Sequence, residues 1–454
     1  MPRLRTVYVC SSCGAQHPKW AGQCTACGEW NTLVEDVIGT ETAVVSKTVA
    51  VSRALNSATE PLPISDITHN ESAATATGIA EFDRVLDGGL VPGSVTLVSG
   101  EPGIGKSTLL LQIASTWPGR ALYVSAEESA QQVRLRAKRL GVTDDDTYLV
   151  SAMSLGDIVG AIDKVKPTLV VVDSVQTIAD ETIESAPGSV TQVRECSFRL
   201  VQEAKARNIA ILLVGHVTKD GNIAGPRLLE HVVDTVVSFE GDRLHALRMV
   251  RAIKHRFGTT NELGLFEMTE SGLVGVPDAS NMLLADRQIG VAGSIVVPTI
   301  DGQRPMLVEV QALTTKVGTG FTPRRSAQGI ESSRLAMLLA VLERRTGTAF
   351  ASLEVYVSVV GGVRLNDPGS DLGFCLALTS AAHDRPVTPQ LAAIGEVGLG
   401  GEVRHVTHLE RRVREAERMG FDRILVPANA KPLDGGRATL VRVASVAEAI
   451  THAF

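Results

Sequence analysis

The chain has 454 residues, of which 44% are hydrophobic and 21% charged, and its formal net charge is −6. This composition is typical of a folded protein of about three domains and excludes a disordered chain. The negative net charge excludes a protein that is basic throughout, so any bound nucleic acid would need a local positive surface. The N-terminal residues lack the apolar core of a secretory signal, and no run approaches the roughly 18 apolar residues of a membrane span. We therefore expect a cytoplasmic protein with no membrane partner.

The pattern along the chain predicts an α/β protein of three folded parts joined by two linkers. Residues 1–32 are rich in cysteine, whereas residues 33–65 are rich in Ser, Thr and Ala without periodicity, which is typical of a linker. Residues 66–272 alternate short apolar strands with longer amphipathic segments, which predicts a mostly parallel sheet with crossover helices. A second linker at 273–282 precedes another α/β region at 283–454. The strand candidates of the middle part are 94–100, 121–127, 168–174, 210–216 and 235–241.

Four cysteines near the start of the chain form two closely spaced pairs, Cys10 with Cys13 and Cys24 with Cys27. Each pair can give two thiolates to one tetrahedral ion, and the loop between the pairs is long enough to bring them together. The alternatives are four unrelated thiols or a redox pair, but a redox motif needs only one pair, in a thioredoxin-like context. Because all four positions are cysteines, we predict a closed, structural Zn²⁺ site.

The segment GEPGIGKST matches the P-loop pattern and lies between a predicted strand and a predicted helix, as the mechanism of the motif requires. Backbone N–H groups of the loop would surround the phosphates, Lys106 would contact the β and γ oxygens, and Ser107 would give its hydroxyl to Mg²⁺. The predicted ATP-binding residues are Gly100, Glu101, Pro102, Gly103, Ile104, Gly105, Lys106, Ser107 and Thr108.

Polar residues end three of the neighbouring predicted strands. Asp173 ends TLVVVD, where an acid can organise Mg²⁺, although a turn or helix-capping acid is the alternative. Glu127 in YVSAEES is the predicted catalytic carboxylate that orients the attacking water. His216 ends AILLVGH, where a γ-phosphate sensor would lie, but a lone histidine at a strand end is more often structural.

Together with VVVDSVQT, GHVTKDGNIAGPRLLEH, KHRFG and the C-terminal region, these motifs make the chain similar, over essentially its whole length, to the RadA (Sms) family of bacterial DNA-repair proteins. The resemblance implies a RecA-like ATPase core followed by a Lon-protease-like domain. It implies that Glu127 activates water and that His216 is the sensor. It also implies that Lys254 and Arg256 of KHRFG, which differs from the family's KNRFG by His255, reach the nucleotide of a neighbouring subunit. A homo-oligomeric ring, expected to be a hexamer, follows from that role.

The resemblance assigns DNA contacts to two loops of the ATPase and to one segment of the C-terminal part. In RecA-like assemblies the loops corresponding to 177–195 and 218–231 face a central channel and contact single-stranded DNA. They need flexible backbone and a few cations that neutralise phosphates, although such cations can also be plain surface charges. The predicted DNA-contacting residues are Lys219, Arg227, Lys316, Arg324 and Arg325.

Ser370, in NDPGSDLG, falls at the nucleophile position of the Ser–Lys dyad of Lon proteases. Aligning the later segment places Glu410 where the dyad lysine belongs, and a carboxylate cannot replace a neutral amine. The neighbouring Arg411 and Arg412 cannot deprotonate to act as bases. We therefore predict that Ser370 is inert and that this domain is a platform for assembly and DNA binding.

The predicted function is that of a DNA-dependent ATPase of recombinational repair, which binds single-stranded DNA and promotes branch migration or processing of recombination intermediates. Its expected cofactors are ATP, Mg²⁺ and Zn²⁺, and its expected partners are single-stranded DNA, branched recombination intermediates and a RecA-type recombinase. One alternative is an ATP-dependent protease of the Lon type, which the missing lysine at position 410 disfavours. The other is an ATP-binding adaptor that recruits a recombinase through the zinc module, which Glu127 disfavours because a pure binder needs no water-activating acid.

Overall fold

The computed structural model describes residues 4–11, 13–39, 74–142, 145–216, 226–241, 247–318, 322–433 and 435–454. The chain forms two compact units, Met1–Gly275 and Val276–Phe454. Within the described ranges, no helix is both long enough and apolar enough to cross a membrane.

The first unit begins with a small three-stranded antiparallel sheet, which we call the ribbon. Its strands are β1 (Leu4–Cys10), β2 (Gln16–His17) and β3 (Leu33–Gly39), in the order β2-β1-β3. The sequence pattern placed residues 33–39 in a linker, but they pair with β1 along its whole length. Pairing with β1 satisfies the backbone hydrogen-bonding groups of residues 33–39. Because this stabilisation comes from the backbone, the periodicity of the side chains does not reveal the strand. The remainder of the predicted linker, residues 40–65, lies outside the described residues.

Nine strands form one sheet in the rest of the first unit. Its parallel strands are β4 (Val95–Gly100), β5 (Ala121–Ser125), β6 (Thr147–Ser151), β7 (Leu169–Asp173), β8 (Ala210–His216) and β9 (Thr235–Glu240). Its antiparallel strands are β10 (Leu247–His255), β11 (Leu263–Thr269) and β12 (Gly272–Gly275). The order in the sheet is β12-β11-β10-β9-β4-β8-β7-β5-β6. The five strand candidates are confirmed as β4, β5, β7, β8 and β9.

The central parallel strands are buried on both faces of this sheet. In β7, Leu169 and Val171 belong to one apolar cluster, whereas Val170 and Val172 belong to a second. Successive side chains of a strand point to opposite faces, so a strand between two helical layers must be apolar throughout. The described helices of this unit are α1 (Ala80–Val85), α2 (Lys106–Thr116), α3 (Ala130–Arg139), α4 (Leu155–Val165), α5 (Val190–Arg207) and α6 (Pro226–Leu229).

Four strands of the sheet were not predicted. The edge strand β6 is largely exposed, so it lacks the apolar run that marks its buried neighbours. Strands β10 to β12 are antiparallel and follow one another along the chain. Pairing with β11 keeps β12 in the first unit as far as Gly275, and α7 (Ala279–Leu284) begins within the predicted linker 273–282.

The second unit has a seven-stranded mixed sheet. Its strands are β13 (Ser294–Asp301), β14 (Arg304–Lys316), β15 (Arg325–Gln328), β16 (Leu353–Val359), β17 (Leu391–Ala393), β20 (Arg423–Pro427) and β21 (Thr439–Val443). Their order is β15-β16-β14-β13-β17-β20-β21, and β18 (Glu396–Val397) pairs separately with β19 (Val403–Arg404). The helices that follow α7 are α8 (Ser332–Thr346), α9 (Asp371–His383), α10 (Leu409–Arg418) and α11 (Val446–Ala453).

Candidate functional site

The predicted P-loop connects β4 to α2 at the carboxyl edge of the parallel strands, where open α/β sheets bind ligands. Gly105 has a φ of 119°, a backbone conformation that residues with a Cβ atom rarely adopt, so this position favours glycine. The side chain of Lys106 is buried, and its Nζ donates to the carbonyls of Gly100 at 2.8 Å and Glu101 at 2.9 Å. Phosphate oxygens could replace these two carbonyls as acceptors.

Burial lowers the pKa of Lys106 to about 8, although the charges of Asp173, Glu127 and Glu101 act in the opposite direction. An ammonium in a protein interior loses hydration, which favours its neutral form. The pairing of β5 with β7 sets Ser125 opposite Asp173, and Ser174 bonds to Glu127, so the two acids lie together at the edge of the sheet where the P-loop begins. They belong to strand ends that are far apart in the sequence.

The two acids accept hydrogen bonds from residues that the sequence analysis did not single out. Tyr123 Oη in β5 donates to Asp173 Oδ2 at 2.6 Å, and Ser174 Oγ donates to Glu127 Oε1. Burial, followed by the charge of Asp173 and their hydrogen bond, raises the pKa of Tyr123 well above its ordinary value. A tyrosine inside a strand resembles an ordinary core aromatic, so no local signal distinguished it.

A second group of residues missed in the sequence lines a cavity of about 650 Å³ beside Thr108. Arg139 and Leu140, at the end of α3, line one part of this cavity. Met268 and Glu270, at the turn from β11 to β12, line another part. These segments are far apart in the chain, so only the fold brings them beside the P-loop.

His216 ends β8, and its backbone lies opposite Gly100 in the parallel pairing of β4 with β8. This register puts the predicted sensor position next to the start of the P-loop. The side chains of His216 and Arg227, and the whole of Lys219, lie outside the described part of the chain. In the other predicted DNA loop, 177–195, the last six residues form the start of α5.

Lys254 and Arg256, the predicted contacts to a neighbouring nucleotide, bind groups within their own subunit. Lys254 Nζ donates to the carbonyls of Glu230 and, at 2.8 Å, Val233, and Arg256 Nη1 lies 3.0 Å from Asp234 Oδ1. Burial and the charge of Arg256 lower the pKa of Lys254. Both cations therefore contact the turn between α6 and β9, where the second predicted DNA loop ends.

The four N-terminal cysteines form one cluster, with all Sγ atoms within 4.8 Å of one another. Cys10 Sγ lies 3.6 Å from Cys27 Sγ, and Cys13 Sγ lies 3.7 Å from Cys24 Sγ. Tetrahedral Zn²⁺ with Zn–S bonds of about 2.3 Å requires sulfur atoms about 3.8 Å apart. The donor set and its spacing therefore fit a structural Zn²⁺ ion.

The ribbon packs on the C-terminal parts of the two predicted DNA loops, which are helical. Val9 of β1 forms a buried apolar cluster with Val190 at the start of α5 and Leu228 of α6. A Cβ atom at Gly14 would lie 3.2 Å from Arg194 Nη1, so the first cysteine knuckle approaches α5 closely. The zinc-binding module is thus in contact with the helices that anchor both loops.

In the second unit, Ser370 is buried, whereas the residue at the predicted dyad position is exposed. Ser370 is 1% exposed, and among the described residues its Oγ has no hydrogen-bond partner. The Glu410 side chain is exposed and pairs with Arg414 instead. The turn that carries Ser370, which we call the serine turn, has the buried side chain of Arg412 beside it. A Cβ atom built at Gly369 of this turn would lie 3.1 Å from Arg412 Nη1.

The predicted DNA contacts of the second unit lie near the start of β16. Lys316 and Arg325 are exposed and pair on opposite sides of this strand, with Leu353 and Val355 respectively. Arg324 is also exposed, whereas Arg325 donates to the carbonyls of Phe350 and Leu353. The fold thus brings three cations from two segments to the same end of the adjacent strands β14, β16 and β15.

Three stretches of the chain match described families. Residues 8–35 match the rubredoxin metal binding domain, residues 60–222 the AAA domain, and residues 273–435 the Lon protease (S16) C-terminal proteolytic domain. The solved structure of the KaiC-like protein PH0186 from Pyrococcus horikoshii OT3 is similar to 45% of this chain and 100% of its own, with 19% identity and a TM-score of 0.38.

Curated relatives match nearly the full length of the chain. DNA repair protein RadA of Bacillus subtilis (strain 168) is 46% identical over 99% of both chains. The protein of the same name from Halalkalibacterium halodurans is 46% identical over 94% of this chain and 93% of the relative. That of Streptococcus pyogenes serotype M6 is 44% identical over 95% and 94%.

The fold and site define a P-loop ATPase of the RecA-like class, with an N-terminal zinc ribbon and a C-terminal Lon-protease-like unit. Such a site takes ATP with Mg²⁺, and the four-cysteine ribbon suits zinc. The chain belongs to the RadA family of DNA repair proteins.

Proposed function

We propose that this protein is a DNA-dependent ATPase of recombinational repair that binds single-stranded DNA and promotes branch migration or processing of recombination intermediates. The observation that carries the proposal is that Lys106, Asp173 and Glu127 lie at or soon after the ends of β4, β7 and β5 at one edge of the sheet, with Ser125 opposite Asp173 and Ser174 bonded to Glu127. Strands β7 and β8 end at this edge and lead into the two predicted DNA loops, so events at the nucleotide can reach DNA over a short path.

In the proposed reaction, Lys106 leaves its carbonyl partners and contacts the β and γ phosphates of ATP. Ser107 and Asp173 would hold Mg²⁺, which when bound neutralises charge on the phosphate oxygens. Glu127 orients the attacking water, and its hydrogen bond from Ser174 limits the directions in which the carboxylate can point. His216, at the adjacent strand end, would respond to the loss of the γ-phosphate.

Binding of DNA is assigned to cations of both units. Lys219 and Arg227 would contact phosphates from the second loop of the ATPase, and Lys316, Arg324 and Arg325 from the second unit. The exposure of the last three at one end of adjacent strands supports this assignment, since phosphate contacts need accessible positive charge. The ATP cycle would change the grip on DNA because the loops differ in affinity between nucleotide states.

A hexameric ring is proposed because Lys254 and Arg256 would act on the nucleotide of the neighbouring subunit. Their contacts with the turn after α6 support a link between that action and the second DNA loop. To reach a neighbouring nucleotide, both side chains would have to leave this turn.

A RecA-type recombinase is proposed to bind through the ribbon. Trp20 and Trp30 are 59% and 68% exposed there, and large aromatic side chains are common anchors of protein interfaces. Proteolysis is disfavoured because Ser370 is buried, whereas the Glu410 side chain is exposed and pairs with Arg414.

The test is ATP hydrolysis by the full-length protein with and without single-stranded DNA, beside Lys106→Ala. We expect strong stimulation by DNA and loss of turnover in the variant. Turnover that is indifferent to DNA would contradict the motor and favour the adaptor. Full turnover by Lys106→Ala would contradict the assignment of the nucleotide site itself.

A further inference from the structure

A phenol lies buried behind the acid proposed to organise Mg²⁺. Tyr123 is in the middle of β5, is 1% exposed, and belongs to an apolar cluster on one face of the sheet. The other residues of this strand are Ala, Leu, Val and Ser. A phenylalanine would fill such a position without an oxygen that needs a partner, because a buried hydroxyl costs free energy unless it is hydrogen-bonded.

The pairing of the strands explains how the phenol reaches the acid. Strands β5 and β7 are parallel neighbours, with Tyr123 opposite Val171 and Ser125 opposite Asp173. Residues two apart on a strand share a face, so Asp173 lies on the same side as Val171. The tyrosine ring spans this step and places its Oη 2.6 Å from Asp173 Oδ2, within a normal hydrogen-bond distance.

The hydrogen bond from Tyr123 is the main contact that fixes the direction of the Asp173 carboxylate among the described residues. Asp173 is 7% exposed, and among the described residues the Tyr123 hydroxyl supplies the hydrogen bond that its side chain accepts. The other acid of the site, Glu127, is held by a different donor, Ser174 Oγ. The two carboxylates thus accept from different donors, Asp173 from a phenol of β5 and Glu127 from the serine that follows β7.

We propose that Tyr123 is a positioning residue that orients Asp173 and thereby sets the affinity of the nucleotide site for Mg²⁺. This inference rests on the proposed role of Asp173 in holding the ion. Groups that hydrogen-bond to metal-organising carboxylates commonly change metal affinity by about 10- to 100-fold when removed. Loss of the phenol should act on Mg²⁺-dependent binding and leave Mg²⁺-independent nucleotide binding unchanged.

The experiment uses full-length Tyr123→Phe, which removes one oxygen and retains the ring. Binding of fluorescently labelled ADP is measured at increasing Mg²⁺ concentration and in excess chelator. We expect the Mg²⁺ concentration for half-maximal enhancement of binding to rise about tenfold, with unchanged affinity in chelator. Tyr148→Phe, which removes a partly exposed phenol from the adjacent edge strand β6, is the matched control and should leave both quantities unchanged.

Two further variants separate this inference from the function on which it rests. Asp173→Ala should raise the Mg²⁺ requirement at least as much as Tyr123→Phe, whereas Ser174→Ala should slow turnover with little effect on Mg²⁺ dependence. If Asp173→Ala alters the Mg²⁺ requirement and Tyr123→Phe does not, the positioning role is wrong and the proposed function stands. If Asp173→Ala has no effect either, the assignment of the acid fails. Equal losses by Tyr123→Phe with Mg²⁺ and in chelator, together with a lower melting temperature, would show a structural role only and overturn the inference.

Discussion

We expect the buried guanidinium of Arg412 to stabilise the second unit by holding the turn that carries Ser370 to the sheet. Its side chain is 1% exposed, donates to the carbonyls of Pro298 and Thr407 at 3.0 Å each, and pairs with Asp367. Arg412→Ala would remove the cation and leave a carboxylate and two carbonyls without these donors. Breaking a buried pair in this way costs about 3–5 kcal/mol.

Because Asp367 retains 19% exposure, water can restore part of its solvation. We therefore expect a loss near the lower end of that range, about 3 kcal/mol in free energy of unfolding. For a unit of this size, each 1 kcal/mol lowers the melting temperature by about 2–4 °C, so the fall should be about 10 °C.

Differential scanning calorimetry of the full-length protein would measure the transition of the second unit. Arg411→Ala is the matched control, because Arg411 is exposed and contacts only Gln303 in hydrogen bonds among the described residues. Its effect should stay within about 0.5 kcal/mol, as for most surface substitutions. If Arg412→Ala were as stable as Arg411→Ala, the argument that Arg412 holds the serine turn to the sheet would be refuted.

Three further predictions concern the two candidate active sites. Lys106 has a pKa of about 8 without nucleotide, and bound phosphates should raise it. Above pH 8, nucleotide binding must then take up a proton, so affinity should be level below pH 8 and fall by up to about tenfold per pH unit above it. Lys106→Arg should abolish this pH dependence in a binding titration from about pH 7 to about pH 9.5, which spans the transition. Glu127→Gln should lower the turnover number about 100-fold or more while nucleotide affinity is retained, and a turnover within a few-fold of the parent would contradict a water-activating role. Glu410→Lys should not produce casein cleavage, because Ser370 is buried. Cleavage that Ser370→Ala removes would show that a lysine alone restores the dyad.

Much of the fold was predictable where the signal is local. Strands such as β7 are apolar at every position because both faces are covered, and that run of residues is visible in the sequence. The ribbon strand β3 and the hairpin strand β12 were placed in linkers instead. Their stability depends on pairing with strands β1 and β11, which sequence periodicity does not report.

The resemblance to a family assigned residues to positions, whereas their surroundings are known only from the structure. Residue 410 was aligned with the dyad lysine, and in the structure the side chain of Glu410 is exposed and pairs with Arg414. Likewise, in the KHRFG motif the Nδ1 atom of His255 lies 2.9 Å from Thr235 Oγ1, and its Nε2 atom lies 3.3 Å from the carbonyl oxygen of Leu86. Both sets of partners depend on how the elements pack.

The sequence by itself determined the two cysteine pairs, the P-loop and the acids at the ends of buried strands. In these motifs the chemistry requires particular residues at short, fixed spacings. Only the tertiary structure decided that Tyr123 holds Asp173 and that Arg412 fills the space beside Ser370. A hydrogen bond joins groups 50 residues apart in the first case, and an ion pair joins groups 45 residues apart in the second. Such contacts form because folding removes both partners from water, and no pattern of neighbouring residues specifies which two will meet.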